Sequence, residues 1–505
     1  MSALPSTTTV AVIGAGTMGG GIAQVAAAAG HPVLLFDAAV GAAEKGMSQI
    51  AKGLDRLVER GKLSAAARDA LLGRIRPVAR LEDLAPAGLV IEAIVEDLDI
   101  KRQVFGQLEA ICGPDTIFGT NTSSISVTAI GAALKRPERL VGMHFFNPAP
   151  VMKLVEVVSG LATERTVAEA VYATATAWGK HPVMARSTPG FIVNRVARPF
   201  YAEALRLLQE GAADVATLDA IMKESGGFRM GPFELMDLIG HDVNFAVTRS
   251  VFEAYFHDPR FLPSLIQQEL VAAGRLGRKS GRGFYDYAEG VQPPAPATAA
   301  PASAPRQIAV RGSLGVAEPL VGRLERAGIA VVREEGEGLI AAGPARLALT
   351  DGRHATVRAA EGRLEGLVVF DLALDYGNAT RIALASADQT GPEAVQAAVG
   401  LFQAAGLAVS LIDDVPGMVV LRTVCMLANE AADAVNQQVC SARDVDIAMQ
   451  GGVNYPRGPL AWAQAIGLPK VLEVLDNLAR AYGEDRYRAS PLLRRKVSAG
   501  RSFQD

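Results

Sequence analysis

The chain reads as an α/β protein, with a doubly wound, mainly parallel sheet, then an α-helical domain, then a degenerate second copy of both. Three observations carry this reading. An apolar run closes on Gly14-Ala-Gly16-Thr17-Met18-Gly19 and opens an alanine-rich stretch. After Pro189, helical spacing of apolar residues replaces the alternation of strands and helices. Landmarks of the first half then recur further down the chain in a single register.

Residues 8–14 (TTVAVIG) predict a buried parallel strand, because the run is apolar and ends in glycine. Gly16 to Ala29 predicts a helix, and His31 to Asp37 a second strand. Together they form one βαβ unit. Further strands are predicted at Leu89–Ala93, Ile117–Thr120 and Leu140–Phe145. Helices are predicted over Phe191–Gln209, Val215–Lys223 and Pro232–Ile239. Residues 288–305 (AEGVQPPAPATAAPASAP) are aperiodic and rich in Pro and Ala, which predicts an exposed, partly extended tether. The expected organisation is a nucleotide-binding domain over 1–187, a helical domain over 188–287, the tether, a degenerate sheet domain over 306–412 and a second helical domain over 413–505.

Composition narrows the function classes. Half of the 505 residues are apolar, enough for several cores. A net charge of −3 gives no support for nucleic acid or a membrane surface as partner. No apolar run approaches the roughly 20 residues needed to span a bilayer. The opening MSALPSTTT has no basic segment leading into an apolar one, so no signal peptide is expected. Cys112, Cys425 and Cys440 are odd in number and widely spaced, which reads as reduced core thiols of a cytoplasmic protein, with no metal set.

The chemistry concentrates in a few places. Gly14 would permit a tight turn, Gly16 the close approach of a pyrophosphate, and Gly19 the packing of helix on strand. With Thr17 and Met18 they place phosphates at a helix N-terminus. Asp37 ends the second strand, where a carboxylate binds ribose hydroxyls and repels a 2′-phosphate, so NAD is expected rather than NADP. His144 lies twelve positions before Glu156. A histidine held by a carboxylate takes a proton from an alcohol near neutral pH, while a nicotinamide takes the hydride. Asn121-Thr122-Ser123-Ser124 follows a strand end, facing the crevice where open sheets bind ligands, and Ser123 is placed to bond a substrate hydroxyl. Taken singly, each has a plainer reading. Ser123 suits a turn, His144 a structural role, Glu156 an ion pair, and Asn194 a capping or packing amide.

Together the motifs IGAGTMG, EAIVEDLDIK, NTSSISV, GMHFFNPAPVMKLVEVV, TPGFIVNR, MGPFELMDLIG and GRKSGRGFYDY resemble the L-3-hydroxyacyl-CoA dehydrogenase family, closely over residues 8–287. The resemblance implies that His144 removes the proton from a 3-hydroxyl, that Glu156 orients it, that Ser123 bonds the substrate oxygen and that Asn194 helps position it. It implies NAD contacts at Asp37, Glu96, Lys101, Asn121, Ser123, Asn147 and Lys279. Lys101 has a simpler alternative as a solvated lysine on a polar helix face. For the CoA phosphates it implies Arg56, Arg60 and Lys62, while Gly53 stands where some relatives carry a serine. It implies an acyl-CoA thioester as substrate, 3-hydroxybutyryl-CoA or 3-hydroxyadipyl-CoA. Arg186, Arg195, Arg198 and Arg229 are all open as partners of a terminal carboxylate.

The second copy departs from this pattern. Pro189-Gly190-x-x-Val193-x-Arg195 recurs as Pro416-Gly417-x-x-Val420-x-Arg422, an offset of 227 residues that also carries Glu203 to Glu430, Asp219 to Asp446 and Gly231-Pro232 to Gly458-Pro459. At the same offset His144 becomes Asp371, Glu156 becomes Ala383 and Asn194 becomes Leu421. The fingerprint echo has Leu314 in place of Gly16. A non-catalytic repeat is expected, forming an intrachain pseudo-dimer through its helices, with a homodimer also open. Two alternatives to a CoA substrate stand beside this reading: a small free 3-hydroxy acid, or a non-catalytic NAD-binding scaffold.

Overall fold

The computed structural model describes residues 2–504. Its backbone divides into two compact units. One holds the residues up to Arg195 together with Gln437–Val453, and the other holds Val196–Asn436 and the residues from Asn454.

The first unit is built on eight strands: β1 (Val10–Ile13), β2 (Val33–Phe36), β3 (Ile75–Val78), β4 (Leu89–Glu92), β5 (Ile117–Thr120), β6 (Leu140–Phe145), β7 (Leu154–Ser159) and β8 (His181–Arg186). Their order is β3-β2-β1-β4-β5-β6-β7-β8. The first six are parallel, in the order of a dinucleotide-binding sheet. Strand β1 lies between β2 and β4 with helices over it, so all four of its residues are buried and the run is wholly apolar. The sequence did not mark β3, because Ile75-Arg76-Pro77-Val78 has no apolar run, and a proline is tolerated there because the strand is an edge. Strand β7 reverses, running antiparallel to β6. Only residues 146–153 join the two, which is too short for a parallel crossover.

The expected helix over Phe191–Gln209 is found in two pieces, Val193–Val196 and Arg198–Gln209. Pro199 lies in the first turn of the second piece, where its missing N–H and fixed φ suit a helix start and not a helix interior. At the same offset of 227 the repeat has Met426, and there Val420–Asn436 runs as one helix.

The second unit contains most of both helical regions and a seven-stranded sheet: β9 (Gln307–Arg311), β10 (Ala330–Glu334), β11 (Leu339–Ala342), β12 (Ala345–Leu349), β13 (Leu367–Phe370), β14 (Arg381–Ser386) and β15 (Ala408–Leu411). Their order is β10-β9-β11-β12-β13-β14-β15. Its last three strands repeat the pattern of β6, β7 and β8, antiparallel and then parallel. The tether is irregular and mostly exposed, as expected, but its second half is pinned. Ala297 and Ala299 donate backbone N–H bonds to Thr217 Oγ1 and to the carbonyl of Val409, each at 2.8 Å. Backbone donors must find partners even where side chains are uninformative.

Each helical region packs on the sheet of the other copy. In the first unit the helix Ala442–Val453 lies against β7 and β8, and Arg186 donates its N–H to the carbonyl of Val439 at 2.8 Å. In the second unit the helix Val215–Glu224 lies against β14, where Ser225 Oγ donates to the carbonyl of Arg381 at 2.7 Å. Also in the second unit, helices Arg198–Gln209 and Val420–Asn436 pack together. Buried Arg422 pairs there with Glu203 at 2.7 Å and with Glu210 at 3.0 Å. Among the described residues no helix is long and apolar enough to cross a membrane.

Removing one partner of a buried ion pair leaves the other charge uncompensated, at a cost of about 3 kcal/mol or more. Arg422→Met is expected to lower the unfolding free energy by that amount in urea titration. A loss below about 1 kcal/mol would show the pair to be dispensable.

Candidate active site

The turn after β1 separates the roles of its glycines. Gly14 has φ +94, and a Cβ there would stand 2.4 Å from the carbonyl oxygen of Ala93. A Cβ on Gly19 would stand 1.7 Å from the carbonyl oxygen of Gly14. Both are required by the fold. Gly16 has φ −69, and a Cβ there would meet nothing within 4 Å. The protein itself does not need that glycine, so the open space beside it fits a ligand. It adjoins the N-terminus of the helix Thr17–Ala28, which has no side-chain cap and leaves its first N–H groups available to an anion. Thr17 is exposed and Met18 half-buried in that first turn. Asp37 stands just past β2, its Oδ2 accepting from Ala15 N at 2.7 Å and its Oδ1 from Ala39 N at 2.9 Å. Both oxygens retain acceptor capacity for a ribose. These residues fit a dinucleotide.

The loop after β5 is organised from beneath. Glu96 accepts from Thr122 Oγ1 (2.6 Å), Ser123 N (3.0 Å) and Ser124 N (3.1 Å). Burial would push the Glu96 carboxyl up, but the Thr122 hydroxyl and the Lys101 charge together hold it below its ordinary range. Lys101 is only 1 % exposed and pairs with Glu92 at 2.6 Å and Glu96 at 3.3 Å. The solvated alternative is thereby corrected, because Lys101 supports the loop from inside. Glu92 is a part of this network that the sequence reading missed. The available signal was a carboxylate closing the apolar strand Leu89-Val90-Ile91-Glu92 nine residues before a lysine. Asn121 Oδ1 accepts from Phe145 N at 2.8 Å and ties the ends of β5 and β6. Asn147 is exposed beyond β6.

The reversal of β7 makes Glu156 the cross-strand partner of His144. Both are buried, and His144 Nδ1 lies 2.6 Å from Glu156 Oε2. The other carboxylate oxygen accepts from the backbone N–H groups of Ile192 (2.9 Å) and Val193 (3.0 Å), at the start of a helix. The imidazole packs on Phe146 with centroids 4.6 Å apart and on Phe191 at 5.9 Å. Asn194 Nδ2 reaches the carbonyl of Ser123 at 3.4 Å. Thus His144, Glu156, Ser123 and Asn194 are brought together within the first unit.

The repeat preserves the helix-capping carboxylate without the histidine. Asp371, at the position of His144, is buried and accepts from the N–H groups of Val419 (3.0 Å), Val420 (2.7 Å) and Leu421 (3.1 Å). Val419 and Val420 correspond to Ile192 and Val193, so Asp371 does the capping that Glu156 does in the first copy. The repeat also contributes to the first site. Gly452 abuts Leu154, Val193 and Phe146, and a Cβ there would stand 2.8 Å from Leu154 and 3.0 Å from Val193.

Arg56 closes the helix Ala42–Glu59, and Arg60 and Lys62 follow it. All three are exposed, without a carboxylate partner among the described residues. Lys279 belongs to the second unit, where it pairs with Asp242 at 2.5 Å.

With this geometry in place, comparison with known proteins assigns the class. Residues 9–188 match the description "3-hydroxyacyl-CoA dehydrogenase, NAD binding domain", and residues 190–287 and again 417–504 match its C-terminal domain. Residues 347–416 match a "3-hydroxybutyryl-CoA dehydrogenase reduced Rossmann-fold domain". The chain belongs to the 3-hydroxyacyl-CoA dehydrogenase family. It is 47% identical over 489 residues to a 3-hydroxyadipyl-CoA dehydrogenase of Escherichia coli K12, covering 97% of each chain. It is 42% identical over 278 residues to a 3-hydroxybutyryl-CoA dehydrogenase of Clostridioides difficile, covering 55% of this chain and 99% of the relative. A crystal structure of 3-hydroxybutyryl-CoA dehydrogenase from E. coli K12 superposes with TM-score 0.89 at 45% identity, covering 98% of both chains. The cofactor of this family domain is NAD.

Two outcomes are expected. Gly16→Val should weaken NAD binding at least about tenfold in fluorescence titration, with the melting temperature unchanged, since its side chain enters only ligand space. An equal affinity would remove the pyrophosphate from that position. Burial also pushes the Asp371 carboxyl up to about 6 from 3.8. A folded-state value above the unfolded one means stability is lost as pH rises between them. Wild type should therefore lose stability relative to Asp371→Asn from about pH 4 to about pH 6 and run parallel to it above. A wild type that instead gains stability over Asp371→Asn as pH rises would show that the N–H donors hold the carboxylate ionised.

Proposed function

We propose that this chain oxidises (S)-3-hydroxyacyl-CoA to 3-oxoacyl-CoA, reversibly, with 3-hydroxybutyryl-CoA or 3-hydroxyadipyl-CoA as substrate. The observation that carries the reading is the buried His144–Glu156 pair at 2.6 Å, with Glu156 itself held by two backbone N–H groups. The carboxylate keeps the proton on Nδ1 and leaves Nε2 as the free base. Nε2 takes the proton of the 3-hydroxyl, and Glu156 stabilises the imidazolium that results. Bound NAD supplies the hydride acceptor. In reverse, His144 returns the proton to the new alkoxide.

Ser123, presented by the loop that Glu96 organises, bonds the substrate oxygen, and Asn194 orients the thioester beside it. Gly14, Gly16, Thr17, Met18, Gly19, Asp37, Glu96, Asn121 and Asn147 hold the cofactor, with Lys101 acting behind Glu96. Arg56, Arg60 and Lys62 are free to meet the CoA phosphates. The second copy, with Asp371 at the histidine position, has no base and serves as the partner half of an intrachain pseudo-dimer. The location is cytoplasmic, a reading that three free cysteines support.

The test is NADH absorbance with acetoacetyl-CoA and 3-oxoadipyl-CoA, comparing wild type with His144→Ala. Turnover of either thioester should fall by about a hundred- to ten-thousand-fold in the variant. The ratio between the two assigns the acyl group. Wild type that binds NAD and turns over neither would sink the proposal.

A further inference from the structure

A cavity of about 200 Å³ opens in the second unit between the helix Arg198–Gln209, the segment Arg260–Leu265 and Arg486. Part of its wall is apolar, from Leu205, Phe261 and Leu265. The rest is lined with arginines, and most of them are compensated. Arg260 pairs with Glu430 and Asp433, Arg206 with Glu484, and Arg486 lies 3.9 Å from both Glu203 and Glu484.

Arg198 is different. It is 5% exposed, donates one bond to Thr248 Oγ1 at 3.0 Å and lies 4.9 Å from the ring centre of Tyr201. No carboxylate is within ion-pair distance of it among the described residues. Its Nε makes no hydrogen bond, and neither do Arg260 Nε nor Ser264 Oγ in the same wall. A buried cation without a counter-charge is costly, and so are buried donors without acceptors. A carboxylate entering the cavity removes both costs at once, because a guanidinium matches it in charge and in geometry. The apolar wall accommodates methylene groups, which favours an aliphatic acid over inorganic phosphate.

The feature is not inherited from the helical fold. At the offset of 227, Arg198 becomes Cys425, Tyr201 becomes Ala428 and Arg206 becomes Asp433. Of the four arginines open to a terminal carboxylate, Arg186 and Arg229 are exposed and Arg195 donates to Gln437 at 2.9 Å, which leaves Arg198 as the buried and uncompensated one.

We propose that this cavity binds a small aliphatic carboxylate, with Arg198 supplying the charge and Ser264 a second donor. The carboxylate is that of a free aliphatic acid.

The experiment titrates the full chain calorimetrically with adipate and with butyrate. Arg198→Leu is titrated in parallel. Wild type is expected to bind at least one of the acids, and the variant roughly tenfold or more weakly. Wild type that binds neither acid, or a variant that binds as wild type does, overturns the proposal. Should Arg198→Leu fail to melt cooperatively, Ser264→Ala in the same wall replaces it. Acid binding by a wild type that turns over no thioester would reject the dehydrogenase reading and leave the cavity standing.

Discussion

The site depends on one antiparallel strand pairing. A wholly parallel sheet would carry His144 at the end of β6 with no carboxylate beside it. The short connection through residues 146–153 forces β7 to turn back, and the resulting register sets Glu156 directly across from His144. Burial then makes the pair consequential. An ionised glutamate in a sheet interior needs compensation, and it finds this in the imidazole and in two N–H groups at a helix start. The same carboxylate therefore holds the imidazole and anchors the chain where it leaves the sheet domain.

The duplication shows which half of that arrangement is structural. The repeat has lost the histidine and the glutamate, but a carboxylate still caps the corresponding helix, now from Asp371 on the neighbouring strand. Capping the helix survives in both copies, whereas holding an imidazole is confined to the first. The repeated arginine follows the same logic. Arg422 is retained as the centre of a buried network with Glu203, Glu210, Tyr482 and Tyr487, which joins helices of the two copies.

The exchange of helices ties the second copy to the first sheet. Ala442–Val453 packs on β7 and β8, and Gly452 allows the close approach to Leu154, Val193 and Phe146 that walls the histidine.

Periodicity and glycine chemistry in the sequence were enough to mark β1, β2, β4, β5 and β6 and the fingerprint turn, because these are local properties read over a few residues, and a single offset marked the repeat. The identity of His144 and Glu156 as a pair was legible only as a spacing. Tertiary structure alone decided that the spacing becomes a 2.6 Å contact, since strand direction depends on a connection length and on the sheet it joins. It also decided that Lys101 is buried, because its pairing with Glu92 joins a helix to a strand whose relative placement no local pattern gives. The break at Pro199 was written in the sequence and was outweighed there by apolar spacing. The packing of each helix on the other copy's sheet joins residues hundreds of positions apart, and no local pattern encodes it. Long-range pairing of this kind is selected by the fit of whole surfaces, which exist only once the chain has folded.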